Sequence, residues 1–364
     1  MDIFTHFVLK FPYITIAISF LIGLGFMPMV IDIAKKRDFV VKPNHRTSHV
    51  GSIPNIGGID IFISFLFTVF LFSYDIISQL QFSIIGVFII LIVGFVDDLI
   101  EIKAYWKLFG ELTAAFFLIV LSDIRLTSLH GFLGIYTMPA AFSYMLSFFV
   151  FIVIINALNL IDGVDGLASG LGILYSLFFA VYFLLTGVNA YLSVSAFAMV
   201  GSLLVFFLYN VFGRKSKIFM GDSGSLLLGY MLTMYVFEFC EMNAHHRVPQ
   251  EFYMPAAPAV AVCVLTVPLF DTLRVMATRI KKGTSPFHPD KNHIHHLFLK
   301  TGMIHRKVTY ILLLFSIFFM AIGLLGRNLK IGVLAGITFA TATILTYILW
   351  RYVDYKNNNK NREL

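Results

Sequence analysis

Charged side chains are scarce in this chain: they make up 13% of its 364 residues, about half of what a soluble domain carries. An ordinary soluble enzyme is thereby excluded. Cysteine is nearly absent. Cys240 and Cys263 form no CxxC spacing, so they indicate neither a disulfide framework nor a zinc site and read as packing residues. No GxxxxGK[ST] run occurs, which removes a P-loop nucleotide site. No 20–50-residue repeat and no linker divides the chain. The start, MDIFTHFVLKFPYITIAISFLIGL, has neither a basic n-region nor a small-residue cleavage site, and is expected to stay as the first span.

What is present is apolar. Hydrophobic residues reach 59%, with forty Phe and sixteen Tyr, and the mean hydropathy is +0.86. Apolar stretches long enough to cross a bilayer follow one another. They predict an all-α polytopic membrane protein with about eleven transmembrane helices, near 11–34, 56–74, 81–97, 106–122, 142–159, 170–187, 191–210, 223–239, 255–276, 309–326 and 331–350. The third and fourth are expected to be short. Residues 1–364 read as one membrane domain with a basic tail from about 351. Sorting the 27 Lys and Arg by alternate loops puts 22 on one side and 5 on the other. That bias predicts the first side as cytoplasmic, with the N-terminus outside and the C-terminus inside. The net charge of +7 then belongs to loops at an anionic membrane face rather than to a nucleic-acid partner.

Five polar segments fall on the predicted cytoplasmic side. The basic loop from Lys42 through His45, Arg46 and His49 to Gly57-Gly58 reads either as a turn-rich positive loop or as a phosphate-contacting surface. Asp97-Asp98-Leu99 closes an apolar span, with Lys103 and Lys107 following; adjacent carboxylates at a membrane boundary need solvent, a cation or a basic partner. In NALNLIDGVDGLASG, Asn156, Asn159, Asp162 and Asp165 recur every three residues, one face of a helix end. Gly163, Gly166 and Gly170 there permit tight turns. In FMGDSGS, Asp222 and Ser223 begin a span whose free N–H groups suit an anion or a carboxylate–metal–phosphate bridge, and Ser223 alternatively reads as an N-cap. The long loop near 277–308 carries Arg279, Lys281, Lys282 and the run PFHPDKNHIHH, with His288, His293, His295 and His296. HxHH without cysteine is not a zinc frame, and its basic surroundings point to a phosphorylated, anionic substrate.

Asp97, Asp98, Asp162, Asp165 and Asp222 thus gather at one membrane face. Hard oxygen donors suit Mg²⁺, or Mn²⁺, better than zinc, and acidic, amide and basic groups together suit phosphoryl transfer. An enzyme embedded in lipid with such a site takes one lipid and one water-soluble phosphorylated substrate. An ion-coupled transporter is the rival reading, since membrane carboxylates also mark ion paths.

DDL, NALNLIDGVDGLASG, FMGDSGS and PDKNHIHH, in this order and spacing, resemble the polyprenyl-phosphate N-acetylhexosamine-1-phosphate transferase family, over roughly residues 10–350. The branch most similar uses UDP-GlcNAc and undecaprenyl phosphate. The resemblance implies formation of undecaprenyl-diphospho-GlcNAc and UMP with Mg²⁺, at the bacterial cytoplasmic (inner) membrane. That is the first membrane step of an O-antigen, common-antigen or teichoic-acid-type glycan. It also implies roles. Asp97 is the candidate base for the lipid phosphate, Asp98 helps hold or orient the metal, and Asp222 is the metal-ligand aspartate. Asn156, Asn159, Asp162 and Asp165 line the nucleotide–metal site. Arg279, His293, His295 and His296 lie near the donor's phosphates and sugar, and Lys42 and Lys107 near the lipid phosphate. A homodimer is in keeping with the family. A UDP-MurNAc-pentapeptide donor is the nearest alternative, although that branch tends to carry three consecutive His where Ile294 interrupts here; other UDP-N-acetylhexosamines are further alternatives.

Overall fold

The computed structural model describes residues 8, 10–41, 53–72, 77–284 and 293–360. Helices dominate it: α1 Ile14–Lys36, α2 Gly57–Phe72, α3 Ile77–Ile100, α4 Ala104–Phe116, α5 Ala140–Ile161, α6 Leu167–Thr186, α7 Ala190–Phe212 and α8 Gly221–Ala244. Then come α9 Ala257–Val264, α10 Thr266–Lys281, α11 Ile294–Lys300, α12 His305–Leu325 and α13 Ile331–Lys360. Two short strands, β1 Val40–Val41 and β2 Ile53–Pro54, pair antiparallel between α1 and α2. Among the described residues, nine helices are long and apolar enough to cross a membrane, and the bent pair α9–α10 makes a tenth if counted as one span. The shorter α2 is also apolar. The chain is a polytopic membrane protein.

Burial sorts the helices. α8 is apolar or small almost all round and is enclosed along nearly its whole length, as expected of a helix with no polar face. Its two tyrosine hydroxyls are satisfied: Tyr230 donates to the Ser83 carbonyl at 2.9 Å and Tyr235 pairs with Ser195 at 2.6 Å. Around it pack α2, α3, α5, α6 and α9, with Phe239 meeting Phe179 and Tyr182 edge to face and Phe179 stacked on Phe183. α12 and α13 keep Leu314, Leu325, Ile344 and Ile348 exposed, the surface a bilayer covers.

Two expectations need correction. The third span is not short: α3 runs 24 residues, because Asp97-Asp98 extend the helix instead of ending it. The ninth span is not one helix: α9 and α10 meet at Leu265 with a bend of 82°. Pro268 lies in the first turn of α10. It has no N–H for the Val264 carbonyl and its ring crowds that group. Beside the break, Thr266 Oγ1 donates back towards the Val262 carbonyl at 2.8 Å, with the Cys263 carbonyl at 3.0 Å sharing the same hydrogen.

The segment entering α2 docks along the start of α8. Phe219 N–H donates to the Pro54 carbonyl at 2.8 Å, and Gly57 and Gly58 N–H donate to the Phe219 and Met220 carbonyls at 2.9 Å each. Gly58 lies so close that a Cβ there would run into the backbone of Ser223 and Gly224. Gly58→Ala is therefore expected to destabilise the protein by about 1–3 kcal/mol, the range for overpacking a tight contact. The thermal midpoint of the purified variant in detergent measures this, and an unchanged midpoint would contradict the packing described.

Candidate active site

The acidic and amide motifs arrive from different helices at one end of the bundle. Asp97 and Asp98 come from the last turns of α3, Lys107 from the first turn of α4, Asn156 and Asn159 from the end of α5, and Asp222 from the start of α8. Lys107 Nζ ties two of them together, 3.0 Å from Asp97 Oδ2 and in close contact with Asp222 Oδ2. Asn159 Nδ2 donates to the other oxygen of Asp222 at 2.8 Å and to Ser225 Oγ at 2.9 Å. Asp97 Oδ1 accepts the Ile102 N–H at 2.9 Å, which fixes the turn between α3 and α4.

Asp98 makes a different set of contacts. Its Oδ1 accepts the Asp222 N–H at 2.7 Å and Asn55 Nδ2 at 3.1 Å, and its Oδ2 accepts the Ser223 N–H at 3.0 Å. The anion expected at the N-terminus of α8 is thus a carboxylate of the protein itself, where the free N–H groups and helix dipole favour negative charge. Ser223 is not the N-cap: its hydroxyl is buried with no partner, and the cap comes from α3. Gly221 sits at φ +72, and a Cβ there would lie 2.5 Å from Asp98 Oδ2, so only glycine admits both the turn and the carboxylate.

Asp162 and Asp165 lie just past α5, in the turn that leads through Gly166 (φ +75) to α6, rather than on the helix itself. Burial, then the charges of Asp222, Asp98 and Asp165, hold the Asp162 carboxyl well above the usual carboxylate range. Asp165 turns to other partners. Lys217 Nζ bridges it at 2.7 Å and His305 Nδ1 at 3.4 Å, and Thr309 Oγ1 donates to its carbonyl at 2.8 Å. Burial raises its carboxyl, but His305 and Lys217 outweigh that and leave it lowered. Its charge ties the turn to α12 and to the segment before α8.

The histidines form a second cluster. His293 Nδ1 lies 2.9 Å from Asp271 Oδ2, both buried. His295 stacks parallel to His293 with ring centroids 5.7 Å apart, and His296 lies 4.2 Å from His295. His295 Nε2 rests 3.1 Å from where a Cβ on Gly163 would stand, so the ring lies against the Asp162 turn. Burial, then the neighbouring His296, push His295 down to about 3, and it stays neutral through physiological pH. Arg279 lies on α10 and is buried. Asn156 uses its amide N–H on Glu111 Oε2 at 2.9 Å and the Ile152 carbonyl at 3.0 Å. Lys42 lies outside the described residues, as does His288.

A family model described as glycosyl transferase family 4 matches residues 80–239, which contain Asp97 through Asp222. An undecaprenyl-phosphate alpha-N-acetylglucosaminyl 1-phosphate transferase of Yersinia pestis is 31% identical over 319 residues, 85% of this chain and 83% of that protein. The protein of the same name from Escherichia coli K12 is 31% identical over 312 residues, 85% of this chain and 82% of its own length. The chain belongs to glycosyl transferase family 4. A decaprenyl-phosphate N-acetylglucosaminephosphotransferase of Mycobacterium leprae is also similar, 30% identical over 309 residues, 78% of this chain and 75% of that protein. This family 4 transferase is an enzyme, and its motif carboxylates Asp97, Asp98 and Asp222 gather at one end of the bundle, which favours the enzyme reading over the transporter.

Two residues of the candidate site lie outside the sequence motifs. Glu111, one turn from Lys107 on α4, is buried with Oε1 unpartnered; a lone acid inside an apolar span was the available signal. Asp271, with Arg274 three residues on, carried the same signal in α10.

Proposed function

We propose that this family 4 transferase moves GlcNAc-1-phosphate from UDP-GlcNAc to undecaprenyl phosphate, releasing UMP and starting a cell-envelope glycan. The observation that carries the reading is the convergence of Asp97, Lys107, Asn159 and Asp222 at one end of the bundle, beside Asp162. The names of the bacterial relatives support undecaprenyl phosphate as the acceptor and an N-acetylglucosaminyl 1-phosphate group as what is transferred. An oxygen of the acceptor phosphate attacks the β-phosphorus of the donor, the bond to the bridging oxygen breaks, and UMP leaves. A phosphate oxygen needs little activation, so direct attack suffices, with Asp97 placed to take up any acceptor proton. Lys107 supplies positive charge where phosphates meet, and His293, His295 and Arg279 serve the donor side.

Mg²⁺ fits this set. Lys107 already draws Asp97 and Asp222 to one point, so two hard-oxygen donors converge, while no three His, Cys, Asp or Glu among the described residues do. Mg²⁺ uses such a sparse protein set when substrate phosphates complete its shell. When bound, it would neutralise charge on the transferring diphosphate. Asp222 would hold it, with Asp98 fixing the turn behind. The Lys and Arg asymmetry supports eleven crossings with this end facing the cytoplasm across the bacterial inner membrane.

The test is extraction of label. Membranes given sugar-labelled UDP-GlcNAc and polyprenyl phosphate should move label into the organic phase, and uridine label should stay aqueous. Transfer from UDP-MurNAc-pentapeptide but not from UDP-GlcNAc would overturn the donor, and full activity in EDTA would end the Mg²⁺ role.

A further inference from the structure

Asp271 stands one and a half turns past the break between α9 and α10 and is buried at 3% exposure. Both of its oxygens are used. Oδ2 faces His293 Nδ1 at 2.9 Å, and Oδ1 accepts the Ile294 N–H at 2.9 Å and Arg274 Nη2 at 2.8 Å. One carboxylate thus grips a histidine ring and the first residue of the helix that carries His295 and His296. A carboxylate paired with Arg accepts only, so His293 must place its proton on Nδ1, leaving Nε2 for another partner. His293 in turn lies parallel to His295 at 7°, and His295 lies against Gly163, next to Asp162. The contacts run unbroken from α10 to the glycine turn.

We infer that Asp271 is the positioning residue of the histidine cluster: it sets the tautomer and orientation of His293 and seats His295 against the Asp162 turn, for recognition of the diphosphate of a nucleotide sugar. The inference rests on the donor-side role given to His293 above. Asp271 touches no substrate in this arrangement and acts through the ring it holds. Arg274 neutralises it, so the acid behind the histidines presents no net negative charge to an anionic donor.

The experiment compares purified Asp271→Asn, Asp271→Glu, His293→Ala and Asp271→Asn/His293→Ala with the unaltered protein. Asn keeps an oxygen for the Ile294 N–H but can no longer act as a charged acceptor for both groups. Asp271→Asn is expected to lower kcat/KM for the nucleotide sugar about 10–100-fold, the usual cost of losing the partner that orients a functional histidine. KM for the lipid acceptor should hold and the thermal midpoint stay near the parent's. The double variant should be no worse than His293→Ala, because the two residues act as a unit. Asp271→Glu, which keeps the charge, should recover part of the loss, and it carries the comparison if Asp271→Asn does not accumulate folded. Calorimetric binding of UDP-GlcNAc should weaken in step with kcat/KM. Losses that multiply in the double variant, or an Asp271→Asn enzyme with parental kinetics beside an impaired His293→Ala, would overturn the inference. A parent enzyme that transfers no sugar from UDP-GlcNAc would instead overturn the donor reading beneath it.

Discussion

Asp222→Ala is expected to lower turnover by about 1000-fold or more, the scale seen when a charged or polar group aimed at the reacting centre is removed. The side chain joins three motifs: Lys107 from α4, Asn159 from α5 and, through Lys107, Asp97 from α3. Its loss leaves Lys107 on Asp97 alone, frees Asn159 and removes the proposed metal ligand. The fold should survive, because Asp98 holds the backbone N–H of residue 222, not its side chain, and alanine keeps that group. A purified variant with a parental thermal midpoint and elution profile but without turnover is the predicted outcome. Near-normal activity would refute the role of Asp222.

Asp98→Ala should behave differently, losing stability and activity together. Three donors converge on this carboxylate, two of them the first N–H groups of α8. An N-cap is worth about 0.5–2 kcal/mol, and an unpaired buried donor costs about 1–3 kcal/mol, so a loss of at least ~2 kcal/mol is expected. Turnover should fall about 100-fold, the effect of displacing a reacting group by roughly 1 Å, since the cap fixes where Asp222 stands. Asp98→Asn keeps one acceptor oxygen and should fall between. Thermal midpoints and kcat for the two variants decide it. An Asp98→Ala protein as stable as its parent would show that the cap carries no weight.

Much of this site was legible before any coordinates. Asp97, Asp222 and Asn159 stood out because polar groups inside apolar segments are costly unless they meet partners, and that argument needs no structure. The spanning helices were legible because each reads as a long apolar run, whereas α11, seven residues inside the stretch read as a loop, was not. What hydropathy does not encode is which partner each polar group finds. Asp98 and Asp97 are adjacent and chemically identical, yet one meets a lysine and the other a helix end. The difference lies in the direction of side chains one position apart on α3. Asp165 shares its spacing with Asp162, but Lys217 and His305 lie remote in sequence and claim it. The break at Leu265 was hidden because Pro268 sits in a run that is otherwise uniformly apolar, and window averages pass over a single missing N–H. Asp271 and Glu111 were passed over because each is a solitary acid with no motif around it.

At its far end α8 is held a second time. Glu241 accepts the Thr127 N–H at 2.7 Å and its hydroxyl at 2.6 Å, with His245 Nε2 at 3.2 Å. Asp222 and Glu241 lie 19 residues apart on one helix, about 28 Å at 1.5 Å per residue. The helix is therefore journalled at both ends, by Asp98 at the tip proposed to be catalytic and by its own Glu241 gripping the 123–139 connector at the other. That connector works as a bearing for α8, which makes it a poor place to insert an epitope tag or a fusion partner, however exposed its apex looks.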